Sequence, residues 1–238
     1  MNSLRVSLFV PALLLSACAF AQVSGNGVSR EETREVADFK GVEVGSGLNA
    51  KVTVGPKSVR VTGDENLVGL VVTEVENGKL EVKLQKGSRV KGTSKLRIFI
   101  SSPQVTSVGA SGGAVVDAEA SPGSNFAAAA SGGGEVNVRN VDAKALALDA
   151  SGGAQVKVIG RADTLAIDAS GGSEVHAEEL SGVKTLAVEA SGGCRVKANP
   201  SDSIAAELSG GSTLHVASSP SQRAVQASGG SEVVFSKK

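Results

Sequence analysis

The sequence predicts an all-β chain wound as a parallel β-helix, and three observations carry that reading. Ser-Gly-Gly recurs as Ser111-Gly112-Gly113, Ser131-Gly132-Gly133, Ser151-Gly152-Gly153, Ser170-Gly171-Gly172, Ser191-Gly192-Gly193, Ser209-Gly210-Gly211 and Ser228-Gly229-Gly230, at intervals of 20, 20, 19, 21, 18 and 19 residues. A period of this size, held over seven copies, belongs to a solenoid. Counting each Ser as offset 0, the odd offsets form apolar columns: Phe126, Leu146, Leu165, Leu186 and Ile204 at −5, and Val116, Val136, Val156, Val175, Val196, Leu214 and Val233 at +5. Alternation of this kind marks strands with one buried face. The 13 residues from −5 to +7 never change in length, so all variation in the period falls in connectors of five to eight residues that carry Pro122, Gly123, Gly160, Gly182, Pro200 and Pro220. Each coil of 18–21 residues therefore reads as strand, glycine corner, strand and turn. Stacking coils at about 4.8 Å builds one continuous core; right-handed winding is expected.

From the N-terminus, 1–21 carries Arg5 and then an apolar run over Val6 to Leu15, interrupted by Ser7 and Pro11. The run is shorter than the roughly 20 apolar residues of a spanning helix, and it reads as a secretory signal peptide. Two processing sites compete. Leu15-Ser16-Ala17-Cys18 resembles a bacterial lipobox, which makes Cys18 a lipidated N-terminal residue; Ala19-Phe20-Ala21 before Gln22 fits ordinary signal peptidase. Both export the chain, as a periplasmic or outer-membrane lipoprotein or as a secreted protein.

Residues 22–28 are polar and glycine-containing, and are expected to form a tether. A single β-helix domain then spans 29–238, with irregular N-terminal coils over 29–105 and the seven Ser-Gly-Gly coils over 106–238. In the first part Val42 and Val44, Val52 and Val54, Val59 and Val61, Leu80 to Leu84, and Leu96 to Ile100 alternate as strands. Asn77-Gly78 is a tight hairpin signal. Leu67 to Val72 fits either a helical turn or a strand. In the second part, the Ala residues at offset −1 are expected to line a tight corner. Cys194, at offset +3, replaces the small residues Ala114, Gly134, Ala154, Ser173, Ser212 and Ser231 of the other coils, and is expected to be a buried, inert thiol. The last coil ends in Val233-Val234-Phe235 and Lys237-Lys238. Either Phe235 folds over that end and the lysines discourage stacking, or two copies pair end to end as a two-fold homodimer.

Composition narrows function. The 24 basic and 24 acidic residues balance, so no general field draws the chain to nucleic acid or anionic lipid. One exception is the acid-free span holding Lys83, Lys86, Arg89, Lys91, Lys95 and Arg97: a solvated loop guarding apolar strands, or a contact for lipopolysaccharide or another anionic polymer. Trp and Tyr are absent, which removes the usual stacking platforms for sugars and single-stranded nucleic acid.

Several motifs imitate active sites. Gly109-Ala110-Ser111-Gly112-Gly113 matches G-x-S-x-G, but that motif works where a strand turns into a helix, and here Ser-Gly-Gly recurs as a corner between strands. His176 and His215 share offset +6 with Lys197 between them, so about 10 Å separates them, too far to share a metal. Asp149, Asp168, Glu189 and Glu207 stand at offset −2 as a stack of carboxylates, which invites cation binding or splaying into solvent. It is a weak metal candidate, because no calcium-binding turn accompanies it. No catalytic residue and no cofactor is expected, since short connectors do not wall the groove of a polysaccharide lyase or hydrolase.

Phe39-Lys-Gly-Val-Glu-Val, then Gly47-Leu48-Asn49 running into Ala-Lys-Val-Thr-Val, the Asn77-Gly78-Lys-Leu-Glu-Val segment, Leu96-Arg-Ile-Phe-Ile and the Ser-Gly-Gly coils together resemble the auto-transporter adhesin head GIN domain family. The name-giving Gly-Ile-Asn stands here as Gly47-Leu48-Asn49. The resemblance covers nearly the whole mature chain and implies a pectin-lyase-like β-helix without a catalytic site, used in adhesion. The expectation is thus a non-enzymatic cell-envelope protein that meets a surface polymer or protein and touches membrane only through Cys18. The alternatives are a degenerate carbohydrate-active β-helix and a self-assembling envelope scaffold.

Overall fold

The computed structural model describes residues 22–236, the side chain of Ser94 excepted. The expected signal peptide over 1–21, with Cys18, and the two terminal lysines lie outside the described residues. The chain is nearly all-β, a solenoid of about six turns.

The N-terminal part contains β1 (Gln22–Ser24), β2 (Ser29–Thr33), β3 (Gly41–Val44), β4 (Asn49–Val54), β5 (Ser58–Asp64), α1 (Glu65–Val68), β6 (Val71–Glu76), β7 (Lys79–Leu84), β8 (Arg89–Lys91) and β9 (Arg97–Ser102). Here parallel coils give way to antiparallel pairs. β3 and β4 are the first two sides of a true coil, in parallel register with β7 and β9. β5 instead runs antiparallel to β9 and β2, and β6 antiparallel to β7. Asn77 and Gly78 have φ of 52° and 74°, the two left-handed positions of a type I′ hairpin, as expected from Asn-Gly. The ambiguous stretch 67–72 is both things in succession: α1 closes the end of the core with fully buried Leu67 and Val68, and β6 follows.

The stretch 22–28 is more than a tether. β1 pairs in parallel with β8, and Asn66 of α1 accepts from the Asn26 amide at 3.0 Å while donating to the Ser24 carbonyl at 2.9 Å. Three residues are too short a strand to announce themselves, and their partner lies far along the chain.

The solenoid proper runs through β10 (Ser107–Ser111), β11 (Val115–Glu119), β12 (Gly123–Ser131), β13 (Glu135–Ser151), β14 (Gln155–Ser170), β15 (Glu174–Ser181), β16 (Thr185–Ser191), β17 (Arg195–Ala198), β18 (Ser203–Ser209), β19 (Thr213–Val216), β20 (Gln222–Ala227) and β21 (Glu232–Phe235). Each column read from the sequence is a register of parallel pairs: Phe126 with Leu146, Leu146 with Leu165, Leu165 with Leu186, Leu186 with Ile204. All five are buried. The connectors do more than turn. Val141, Asp142 and Ala143 pair with Gly160, Arg161 and Ala162, giving the coil a third, shorter side with Val141, Ala162 and Leu180 buried. Bends at Asn140 and Gly160 interrupt the alternation there, which hides this side from a period-two reading.

Both glycines of every Ser-Gly-Gly have φ between 55° and 90°, a region that costs any L-residue about 1–2 kcal/mol. In the first coil the corner is Gly45-Ser46-Gly47, and Ser46 occupies the left-handed region at φ 60°. The family motif is therefore this corner followed by Leu48, fully buried, and Asn49, which opens β4. Offset −1 is buried throughout Ala110, Ala130, Ala150, Ala169 and Ala190, but Leu208 is buried in the same column, so the corner accepts a larger side chain toward the C-terminal end.

Candidate functional site: an acidic and hydroxyl-lined face

The strands leading into the corners place odd offsets in the core and even offsets in solvent. Down the solvent side, Asp149 stands beside Asp168, Asp168 beside Glu189 and Glu189 beside Glu207. Ala129 precedes the column and Gln226 follows it. Parallel neighbours lie about 4.8 Å apart, so four carboxylates form a file along the solenoid axis. Two columns toward the strand start, the outward residues are Ala127, Ala147, Ala166, Ala187, Ala205 and Ala224; two columns toward the corner they are serines. No long side chain rises on either flank. The result is an open, shallow groove of about 960 Å³ lined by the four acids, Gln226 and Ser151, Ser170, Ser191, Ser209 and Ser228.

The electrostatics of this face differ from those of the adjoining side. There Glu174 meets Arg195 at 2.9 Å and Glu179 meets Lys157 at 2.7 Å. Among the described residues none of the four file carboxylates has a cationic partner. Asp149 shows the consequence: partial burial, and then repulsion by Asp168, push its carboxyl above the usual value. The hydroxyls of Ser151, Ser170, Ser191 and Ser209 likewise lack protein hydrogen-bond partners and face the groove. In the sequence these serines stand out as corner residues, yet offset 0 shares its parity, and hence its face, with offset −2.

The remaining candidates resolve as structure. Ser111 ends β10 and the chain turns into β11, so the nucleophile-elbow context is missing. His176 stands beside Lys197, and Lys197 beside His215, on the side away from the serines; His176 is held between Glu178 at 3.3 Å and Glu174 at 3.6 Å. Cys194 is buried, its thiol donating to the Ser191 carbonyl at 3.2 Å. Among the described residues no three His, Cys, Asp or Glu side chains gather where they could hold a metal ion, because the acids are strung along a line and do not converge. What the face offers is a row of acceptors and hydroxyls with open access.

Comparison with known proteins agrees with the fold. Among curated sequences no relative is found. A putative adhesin from Bacteroides fragilis is 20% identical with a TM-score of 0.78, covering 89% of this chain and 98% of that one. A putative lipid binding protein from Parabacteroides distasonis is 17% identical with a TM-score of 0.69, covering 90% and 100%. A putative adhesin from Parabacteroides merdae is 19% identical with a TM-score of 0.66, covering 91% and 99%. The family model "Putative auto-transporter adhesin, head GIN domain" matches residues 38–220, from the strand before the Gly47-Leu48-Asn49 corner to the sixth Ser-Gly-Gly coil, and the chain belongs to that family.

Proposed function

We propose that the protein is a non-enzymatic, exported adhesion module whose acidic file binds an extended, cation-bearing polymer or protein segment of a cell surface. The observation that carries this reading is the file itself: Asp149, Asp168, Glu189 and Glu207 in register, without cations, between a row of free serine hydroxyls and a row of alanines. Like charges on adjacent strands are destabilising, so a partner that neutralises them gains what the fold lacks. A flat lining lets that partner approach the carboxylates closely, and the hydroxyls supply hydrogen bonds at every coil. Adhesion fits the name of the family and of two structural relatives.

The test is binding of the purified protein to whole envelopes, beside a variant carrying Asp149→Asn, Asp168→Asn, Glu189→Gln and Glu207→Gln. The variant is expected to lose at least tenfold in affinity, and wild-type binding is expected to weaken with salt. Undiminished binding by the variant removes the face from the interaction. Release of new sugar ends from envelope polysaccharide by wild type alone favours the carbohydrate-active alternative.

A further inference from the structure

We propose that the N-terminal cap is a docking surface for the anionic headgroups of a lipid bilayer, an inference that rests on the exported reading above. Its basis is the excursion between β7 and β9. Lys86, Lys91 and Lys95 on it, and Arg97 at the start of β9, are all exposed. Lys83, from the same acid-free span, is neutralised by Glu81 at 2.9 Å and Glu74 at 3.7 Å, and Lys95 leans toward Asp64 at 3.8 Å. Among the described residues Lys86, Lys91 and Arg97 have no carboxylate partner.

The same excursion fixes where the chain enters the fold. In the β1–β8 pair, Val23 and Val90 pack on the core, so by strand alternation Gln22, Ser24, Arg89 and Lys91 lie on the opposite, solvent side. Gly25 then rests on Asp64 so closely that a Cβ there would fall 1.5 Å from Oδ2. With the Asn26–Asn66–Ser24 bonds, this pins the first described residues against the basic excursion. Cys18 precedes Gln22 by four residues, a reach of at most about 14 Å even when extended. Processing at Cys18 would therefore hold the acyl anchor within about 14 Å of β1, whose partner strand β8 carries Lys91. A basic patch beside an acyl anchor is the usual second signal for stable attachment. The cap then faces the bilayer, and the acidic file begins farther along the solenoid, at the third Ser-Gly-Gly coil.

The experiment uses residues 22–238, which include every buried core residue from Phe39 to Val216 and carry no acyl chain. Flotation is measured with phosphatidylcholine vesicles and with vesicles that also contain phosphatidylglycerol. Binding is expected only to the anionic vesicles and is expected to disappear at high salt. Each surface cation contributes about fivefold in partitioning, so Lys86→Gln, Lys91→Gln and Arg97→Gln together should lower it roughly a hundredfold while the melting curve stays that of wild type. Failure to float with anionic vesicles overturns the proposal, as does equal flotation of the triple variant. Retention of dextran sulfate without vesicle binding overturns it too, and assigns the patch to a soluble polyanion. The variant with the neutralised acidic file should float like wild type, and Cys18→Ser reports on anchoring in cells alone, so failure of the cap and failure of the exported reading give different results.

Discussion

At the residue scale, the two glycines of each corner are required for different reasons. The first stacks on its counterpart in the preceding coil: a Cβ on Gly210 would lie 2.8 Å from the Gly192 nitrogen, and one on Gly171 3.1 Å from that of Gly152. The second, such as Gly211 at φ 87°, meets nothing within 4 Å and is glycine only for its backbone. Gly211→Ala should therefore cost about the left-handed penalty of 1–2 kcal/mol, and Gly211→Asn less, since Asn tolerates that region. Gly210→Ala adds a backbone clash that no rotamer relieves, because coil spacing is fixed by hydrogen bonds such as that from the Gly192 amide to the Ser209 carbonyl at 3.3 Å. Denaturant unfolding of the two alanine variants should separate them by about 1 kcal/mol or more, with Gly210→Ala the less stable. Equal losses mean that stacking does not matter at the corner.

At the element scale, the acidic file sets β13, β14, β16 and β18 against one another electrostatically while their buried residues hold them together. Asp149 titrates above its usual value because of burial and Asp168. The folded protein thus holds more protons there than the unfolded chain between the ordinary carboxyl value of 3.8 and the raised one, and across that window stability falls as pH rises. Asp149→Asn removes that penalty and should stabilise the protein at neutral pH by about 0.2–1 kcal/mol, less in high salt, with no gain once the pH drops below the carboxyl range. Loss of stability at neutral pH in low salt contradicts the file as described. Its geometry was legible in the sequence because register follows from the fixed spacing between each acid and its Ser-Gly-Gly. The same logic recovered the Leu146–Leu165–Leu186 column and placed Lys197 between the histidines. It failed where spacing is not conserved. Nothing local distinguishes antiparallel β5 from a coil strand, since Val59 and Val61 alternate like any other pair, and Val141 to Ala143 follow a left-handed Asn140 that breaks the pattern just before the third side begins.

At the scale of the whole molecule, the solenoid has two unlike ends. The N-terminal end is closed by α1 and antiparallel strands, with Leu67 and Val68 fully buried. In the last described coil the inward positions are Arg223, Val225 and Ala227, and Val225 is 39% exposed. Arg223 takes the place of the Leu and Ile of its column and lies over the ring of Phe235 at 4.0 Å, its Nε donating to the Pro220 carbonyl at 2.9 Å. Phe235 itself keeps its column, in register with Val216, so what lies over its ring is Arg223, and a cation over a ring contributes about 0.5–1 kcal/mol at an exposed site. In a stacked array each coil depends mainly on its neighbours, so disorder should enter from this end. Amide exchange is expected to be fastest over β20 and β21 and slowest over β13 to β16, where both neighbours are present. Phe235→Asp should speed exchange in the last coil while leaving β13 and β14 unchanged, whereas Leu165→Ala, buried at mid-solenoid, should cost about 2–5 kcal/mol and speed exchange across several coils. Sedimentation decides whether the end serves an end-to-end homodimer: with the cationic Arg223 standing where the other coils have Leu and Ile, wild type is expected to sediment as a monomer. A wild-type dimer that Phe235→Asp dissociates would make Arg223 and Phe235 part of an interface.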